Sequence, residues 1–490
     1  MDILLEYSPL LLELALLLFA LAMWPGILLS RKQPVAMLAW LLGVTFIPVL
    51  GPLFFLAFGR RKRLPGLPRK KRRSDRKIGP LLDSAIAPGP ELDPHLARVP
   101  EALRPSLRVA DNVGRYPLTA GNRLELCNGA AEKYEALLRD IAAARHHVHL
   151  EYFKLQADQF GERLADALKA KAAAGLEVRL LIDGVGAIWL SRRYIARLRA
   201  AGVRFEWFHP LNPLRRRWSL NIRNHRKIAV IDGRIGYVGG INLGDEYLGR
   251  DPESGAWHDV AVRLEGPAVL SLQRVFSEDW HFSTGELISE REHFPLPEPV
   301  PQPAHEGSLV QIVNSMPSDE LVTEMHQIFF ACLTAARRRA WLLTPYFLPN
   351  ETIQTALASL ALGGVDVRVV VTQRIQERLV GIASRSFFPA MVEAGVRIHS
   401  FRPDATLHAK ALLIDDGLMI VGSANLDQRS FRINYETGAL IHDPAFARTL
   451  ERCILAKVEQ SREVTLEEIG RRTWGVRSLE AVARLAAPLF

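Results

Sequence analysis

The chain has 490 residues, 48% of them hydrophobic and 23% charged, enough for two to four folded units at roughly 100–200 residues each; a disordered chain is excluded. Its three cysteines, Cys127, Cys332 and Cys453, lie far apart, which excludes a disulfide scaffold and a Cys-rich zinc site and fits a reducing compartment. The net charge of +9 is local: residues 60–77 hold eleven Lys/Arg and one Asp, a local +10, and +9 minus +10 leaves −1 for the rest, so a globally basic nucleic-acid binder is excluded.

Residues 1–59 read as a membrane hairpin. Leu14–Leu29 is uncharged over sixteen residues and Val35–Gly59 over twenty-five, against the roughly 20 apolar residues a spanning helix needs. The short link Ser30–Pro34 favours two transmembrane helices; Pro48 and Pro52 leave room for a re-entrant or interfacial second run. The start, Met1–Ser8, carries Asp2 and Glu6, where a signal peptide would be basic. The stripe Arg60–Lys77 follows at once. By the positive-inside rule it places the rest of the chain on the cytoplasmic side, against anionic lipid. A Pro-rich linker continues this stretch, and residues 60–110 are assigned to stripe and linker together.

From residue 111 helical and strand patterns alternate. Ala130–Ala144, Gln159–Ala174 and Ser191–Ala201 read as helices, His147–Phe153 and Val178–Ile182 as strands, which is the pattern of an α/β fold. Prolines at 295, 297, 299, 301 and 303 mark a connector over residues 294–305. Beyond it, residues 306–490 replay residues 111–293. Glu151-Tyr152-Phe153 returns as Pro345-Tyr346-Phe347, Ala201-Gly202-Val203-Arg204 as Ala394-Gly395-Val396-Arg397, and His225-Arg-Lys-Ile-Ala-Val-Ile-Asp232 as His408-Ala-Lys-Ala-Leu-Leu-Ile-Asp415. The expected architecture is two tandem α/β domains forming one pseudo-two-fold unit.

Each half carries His-x-Lys-x4-Asp followed by Gly and Asn: His225, Lys227, Asp232, Gly240 and Asn242, then His408, Lys410, Asp415, Gly422, Ser423 and Asn425. At about 6% for any charged residue type, one such triplet arises by chance in about 5% of chains with this many histidines. Two at matching places in a repeat do not. On a strand, His and Lys two apart face one way about 6.6 Å apart, so a duplicated pair suggests two halves facing one site. Lys227, Lys410, Asn242 and Asn425 offer cations and donors to a phosphoryl group, and Ser423 a hydroxyl that Gly240 lacks. One histidine is a candidate nucleophile and the other a proton donor. A nucleophilic imidazole needs an acceptor on its second nitrogen; Asp259 and Glu436, each on the strand after a motif, are the candidates. Asp232 and Asp415 complete the motifs, but their odd spacing from His suits a structural role. No carboxylate or Cys/His cluster implies a metal, and no cofactor is expected.

These motifs, with Asp183-Gly-Val-Gly186, Asn221-Ile-Arg-Asn-His225, Gly239-Gly-Ile-Asn242, Thr344-Pro-Tyr-Phe347 and Gly422-Ser-Ala-Asn-Leu-Asp427, resemble the phospholipase D superfamily and, within it, the bacterial cardiolipin synthases. The resemblance implies transfer of a phosphatidyl group between two phosphatidylglycerol molecules at the inner membrane, giving cardiolipin and glycerol, with His225 as nucleophile and His408 as acid/base. Exchange of one phosphodiester for another needs no nucleotide. The insert Pro210–Asn224, with Arg215, Arg216, Arg217 and Trp218, is a candidate headgroup contact. The alternatives are a phospholipase D that uses water, a transferase using phosphatidylethanolamine, a membrane-tethered nuclease and a non-catalytic lipid-binding scaffold. No nucleic-acid partner is expected, and the oligomeric state is open.

Overall fold

A computed structural model describes residues 8–30, 34–47, 49–59, 76–81, 95–210, 219, 221–250, 255–296, 307–318, 323–373, 375 and 377–487. The chain divides into two compact units, and each is taken by itself.

The N-terminal unit contains a helix over Ser8–Leu28 and a second over Pro34–Phe46. Trp24 Nε1 donates to Thr45 Oγ1 at 3.2 Å, and Ala20, Ile27, Val44 and Phe55 bury one another. Other apolar side chains here, among them Leu17, Leu18, Phe19, Leu42 and Phe54, stay exposed. The second apolar run is not one continuous helix. It breaks after Phe46, turns through Val49 at a φ of 69°, and resumes as Leu50–Phe54 with a π turn over Phe55–Gly59. The physical reason lies in Pro48 and Pro52, which remove donors and disfavour helix in the residue before them. The thirteen residues of Pro34–Phe46 reach only about 20 Å, short of the roughly 30 Å of hydrocarbon. Gly51 returns so close to Gly43 that a Cβ on it would lie 2.0 Å from the Gly43 carbonyl oxygen. Among the described residues no helix is long and apolar enough to cross a membrane; they form a helix and a broken, folded-back run.

The second unit is built on one sheet. Its first-half strands are β1 (Thr119–Asn128), β2 (His147–Tyr152), β3 (Glu177–Asp183), β4 (Arg204–Phe208), β5 (Lys227–Ile231), β6 (Ile235–Gly239), β7 (Ala256–His258) and β8 (Val260–Glu265). The second-half strands are β9 (Ser308–Ser315), β10 (Arg339–Thr344), β11 (Asp366–Thr372), β12 (Arg397–Phe401), β13 (Ala405–Leu407), β14 (Ala411–Ile414), β15 (Leu418–Gly422), β16 (Glu436–His442) and β17 (Ser461–Glu463). Fifteen strands form one sheet in the order 17-12-11-10-14-15-16-9-1-8-6-5-2-3-4. Read outward from the β1/β9 junction, the halves have matching orders, 1-8-6-5-2-3-4 and 9-16-15-14-10-11-12, which is the pseudo-two-fold repeat in space.

Strand alternation assigns the faces. Ile228 and Val230 of β5 point into a core with Val310 of β9, Leu413 of β14 and the helix Ala268–Thr284. Ala229 and Ile231 point the other way, against helices Ala130–Ala143 and Gln159–Ala173. Strands buried on both faces read as near-continuous apolar runs, as these do. The expected strand and helix positions hold to within a residue or two. Asp158 and Ser191 cap the helices Gln159–Ala173 and Arg192–Ala200 by accepting from Gly161 and Tyr194 amides. The insert residues Arg215, Arg216, Arg217 and Trp218, most of the basic stripe and most of the Pro-rich connector lie outside the described residues.

Candidate functional site

Both histidines sit in short segments just ahead of β5 and β14, not within the strands. Each segment is pinned to the opposite half. His225 N–H donates to the Tyr435 carbonyl at 2.8 Å, and Tyr435 N–H donates back to Arg223 at 2.9 Å. On the other side β13 pairs in parallel with β7, and His408 N–H donates to the His258 carbonyl at 2.7 Å. The residue after each of these carbonyls is a buried carboxylate. Glu436 accepts from His225 Nδ1 at 3.0 and 3.1 Å, and Asp259 accepts from His408 Nδ1 at 2.7 Å. The two carboxylates expected from sequence are therefore in place, but crossed: each holds the histidine of the other half, not that of the motif it follows.

With Nδ1 committed, Nε2 is the nitrogen each ring has for chemistry. Burial holds the His225 pKa below the ordinary imidazole value, against the opposing pull of Glu436. Burial and the adjacent Lys410 cation press His408 down to about 3. At Glu436 burial pushes upward, but His225 and Lys227 outweigh it and the carboxyl stays below its usual range. Lys227 and Lys410 are almost wholly buried. Lys227 Nζ donates to the His225 carbonyl at 2.6 Å; Lys410 Nζ donates to the His408 carbonyl and lies 2.8 Å from His408 Nδ1. Burial, the largest cause, lowers both lysines, Lys410 to about 8. Lys410 acts electrostatically on His225 and Lys227 on His408, so all four belong to one field. Phe153 lies 5.3 Å from the His225 ring and Trp257 lies 5.2 Å from the His408 ring, which walls the pair from water on those sides.

The acids that close the motifs do something else. Asp232 and Asp415 adopt left-handed φ values of 54° and 46°, at the far ends of β5 and β14 from the histidines. Asp232 accepts from the amides of Arg145, His146 and His147 at 2.8–2.9 Å, and Asp415 from those of Arg337, Arg338 and Arg339 at 2.9–3.1 Å. They anchor the starts of β2 and β10. Ser423 is also reassigned. Its hydroxyl donates to Glu436 at 2.5 Å and is fully buried, so it steadies the carboxylate instead of meeting phosphate. Where the first half has Gly240, a Cβ would come within 2.2 Å of Asp259 Oδ1, so the missing hydroxyl makes room for that carboxylate. The Asn242 side chain accepts from the Lys154 amide and donates to the Tyr247 hydroxyl, both at 3.2 Å. Asn425 keeps its buried carboxamide oxygen without a hydrogen-bond partner among the described residues.

A buried layer under His225 went unread in the sequence. Asn224 Nδ2 donates to Glu151 at 2.5 Å, and its amide donates to Asp183 at 2.9 Å. Arg226 pairs with Asp279 and donates to the Glu436 carbonyl at 3.3 Å. Burial and then the neighbouring Asp279 push the Glu151 carboxyl well above its ordinary range. Asp183 and Asn224 stood in quoted motifs without a role, Glu151 stood in a repeated triplet where its counterpart is Pro345, and Asp279 stood in no motif. Among the described residues, the groups with the spacing of metal ligands are His146/His147/His293 and His149/Glu177/His293, at the other end of β2.

A duplicated α/β unit in which two buried His-Lys pairs meet across the repeat defines the phospholipase D class. The profile described as "Cardiolipin synthase, PLD-like domain" matches residues 137–280 and 329–456, and "Phospholipase_D-nuclease N-terminal" matches residues 15–60. The chain is 37% identical to a cardiolipin synthase of Geobacillus thermodenitrificans, covering 94% of this chain and 90% of that protein. It is 34% identical to one from Halalkalibacterium halodurans, with 95% and 91% covered. The phosphatidylserine synthase structure from Haemophilus influenzae shares the fold at a TM-score of 0.61 and 18% identity, covering 79% of this chain and all of that one. The chain belongs to the cardiolipin synthase family of phospholipase D-like enzymes.

Proposed function

We propose that this chain is a phosphatidyltransferase that makes cardiolipin and glycerol from two phosphatidylglycerol molecules through a phosphohistidine. The observation that carries the reading is the crossed pairing: Glu436 on His225 and Asp259 on His408, with both lysines buried beside them. Glu436 holds the Nδ1 proton of His225, which leaves Nε2 with a lone pair. In the first step Nε2 attacks phosphorus. A P–N bond forms, the P–O bond to the glycerol headgroup breaks, and His408 gives its proton to the departing alkoxide. In the second step the terminal hydroxyl of another phosphatidylglycerol attacks phosphorus and His408 takes its proton; a P–O bond forms and the P–N bond breaks. Both histidines are then restored. Lys227 and Lys410 neutralise charge on the non-bridging oxygens in both steps, so no metal is required for that task. The arriving anion also opposes the burial and lysine fields that depress His408, which favours the imidazolium needed for proton donation.

The N-terminal residues 1–59 are proposed to attach the enzyme to the inner bacterial membrane, either through full spans or through the helix and folded-back run held in the interface. The exposed leucines and phenylalanines there support attachment. The basic stripe, residues 60–77, then lies against anionic lipid on the cytoplasmic side; of the expected linker up to residue 110, Leu96, Val99, Leu103, Leu107 and Ala110 instead pack into the core with Leu333 and Leu342, and residues 111–293 and 306–490 are the two catalytic halves around the 294–305 connector. Attachment keeps donor and acceptor lipids concentrated at the site.

Covalent trapping tests the chemistry. His408→Ala mixed with acyl-labelled phosphatidylglycerol and quenched at alkaline pH should hold label on the peptide containing His225, with no label in His225→Ala. Label that survives in the His225→Ala protein would contradict the assignment of the nucleophile.

A further inference from the structure

Four imidazoles gather at the start of β2, at the opposite end of that strand from the phosphodiester site. His146, His147 and His149 lie at its head, and His293 arrives from the short helical turn Arg291–His293. Ring centroids are 5.1 Å apart for His146–His147, 5.1 Å for His146–His293 and 4.9 Å for His147–His293. One ring nitrogen from each of these three lies within 4.8 Å of the others. Their hydrogen bonding is unfinished. His147 Nε2 and His293 Nδ1 are buried without a hydrogen-bond partner, and His147 as a residue is wholly buried. His146 Nδ1 faces His147 Nδ1 at 2.8 Å, where two neutral rings have one proton between them. Such a set is costly unless something shares the lone pairs.

We propose that His146, His147 and His293 bind a divalent transition metal of the zinc type, which ties the Arg291–His293 turn to the head of β2. Three imidazoles plus water or a carboxylate make an ordinary four-coordinate zinc set, with Zn–N about 2.0–2.1 Å. The surroundings fit. Glu177 accepts from His293 Nε2 at 3.0 Å, the outer-shell carboxylate that orients a ligating ring and leaves Nδ1 for the metal. Glu290 lies 3.6 Å from that Nδ1 as a fourth ligand within a small movement. The neighbouring group of His149, Glu177 and His293 is disfavoured because the Arg179 guanidinium occupies it, 3.1 Å from His149 Nε2. Neutral rings are the ligating form. His146 is exposed and supplies the entry path. The sequence reading found no Cys/His cluster because the fourth ring comes from beyond helix Ala268–Thr284, far along the chain.

The test uses full-length, tag-free protein stripped with chelator, dialysed and titrated with Zn²⁺ alone. The wild type should take up about one more equivalent of zinc than His146→Gln and His293→Gln do, and should show a zinc-dependent rise in melting temperature that both variants lose. His146→Gln changes an exposed side chain, and both variants should keep their lipid turnover, which certifies their fold. Equal zinc uptake by wild type and both variants, or a melting temperature that zinc does not move in the wild type, would overturn the proposal.

Discussion

In the proposed mechanism Glu436 and Asp259 orient the histidines, and their effects separate from simple bulk. Glu436→Gln keeps the shape but no longer fixes the proton on His225 Nδ1. The loss of an orienting carboxylate in a comparable triad costs about 10⁴ in kcat, so a fall on the order of a thousandfold or more is expected in a lipid turnover assay, with the protein still folded. Gly240→Ala works through Asp259: a Cβ 2.2 Å from Oδ1 must displace the carboxylate that holds His408. Its turnover should fall at least tenfold while substrate binding to vesicles is unchanged. The lysines set the alkaline limb. Burial lowers Lys410 to about 8, so its ammonium is present below that pH and lost above it. The pH profile of kcat/KM should decline as pH rises through about 8, and Lys410→Arg, whose cation persists, should move the decline upward. A flat profile to pH 10 in the wild type would mean that this cation does not contribute.

At the scale of the element, the strand that carries each motif has a chemical end and a structural end. The sequence repeat exposes both, because His, Lys and Asp recur at fixed spacing. It cannot show that a strand of five residues in β5 and four in β14 separates their tasks until the left-handed turns at Asp232 and Asp415 are seen gathering three amides each. Nor does spacing reveal the crossed carboxylates. Sequence identifies the strand after a motif, whereas the clamp depends on β7 pairing with β13 and Tyr435 with the His225 segment, which are contacts between halves. Asp232→Ala leaves three amides at the head of β2 without their charged acceptor. These bonds are exposed or only part-buried, so at about 0.5–1.5 kcal/mol net per hydrogen bond the variant should melt measurably lower by calorimetry, while folded protein keeps near-normal kcat. A variant that melts normally but loses all turnover would contradict the structural role of Asp232. In the second N-terminal run the two prolines matter more than composition: they divide it, and the piece Pro34–Phe46 is too short to span alone.

For the whole molecule, the halves are obligate partners. One sheet runs through β1 and β9, and each histidine is completed by a carboxylate from the other half. The repeat was legible in the sequence because both copies kept their strand-helix pattern and His-x-Lys. The buried support of Glu151, Asp279 and Arg226 was not, since lone acids and a lone arginine carry no periodicity. Removal of residues 1–59 should reduce turnover on phosphatidylglycerol vesicles at least tenfold and leave turnover of a detergent-dispersed short-chain lipid largely intact; equal turnover on vesicles would rule out attachment by this segment. The central claim, phosphatidyl transfer to an alcohol, is met most directly by product analysis. Purified protein is given labelled phosphatidylglycerol alone, with chelator and without nucleotide, and the lipids are separated. The account predicts cardiolipin with glycerol released in equal amount. Phosphatidic acid in place of cardiolipin would contradict it, since water would then be the acceptor.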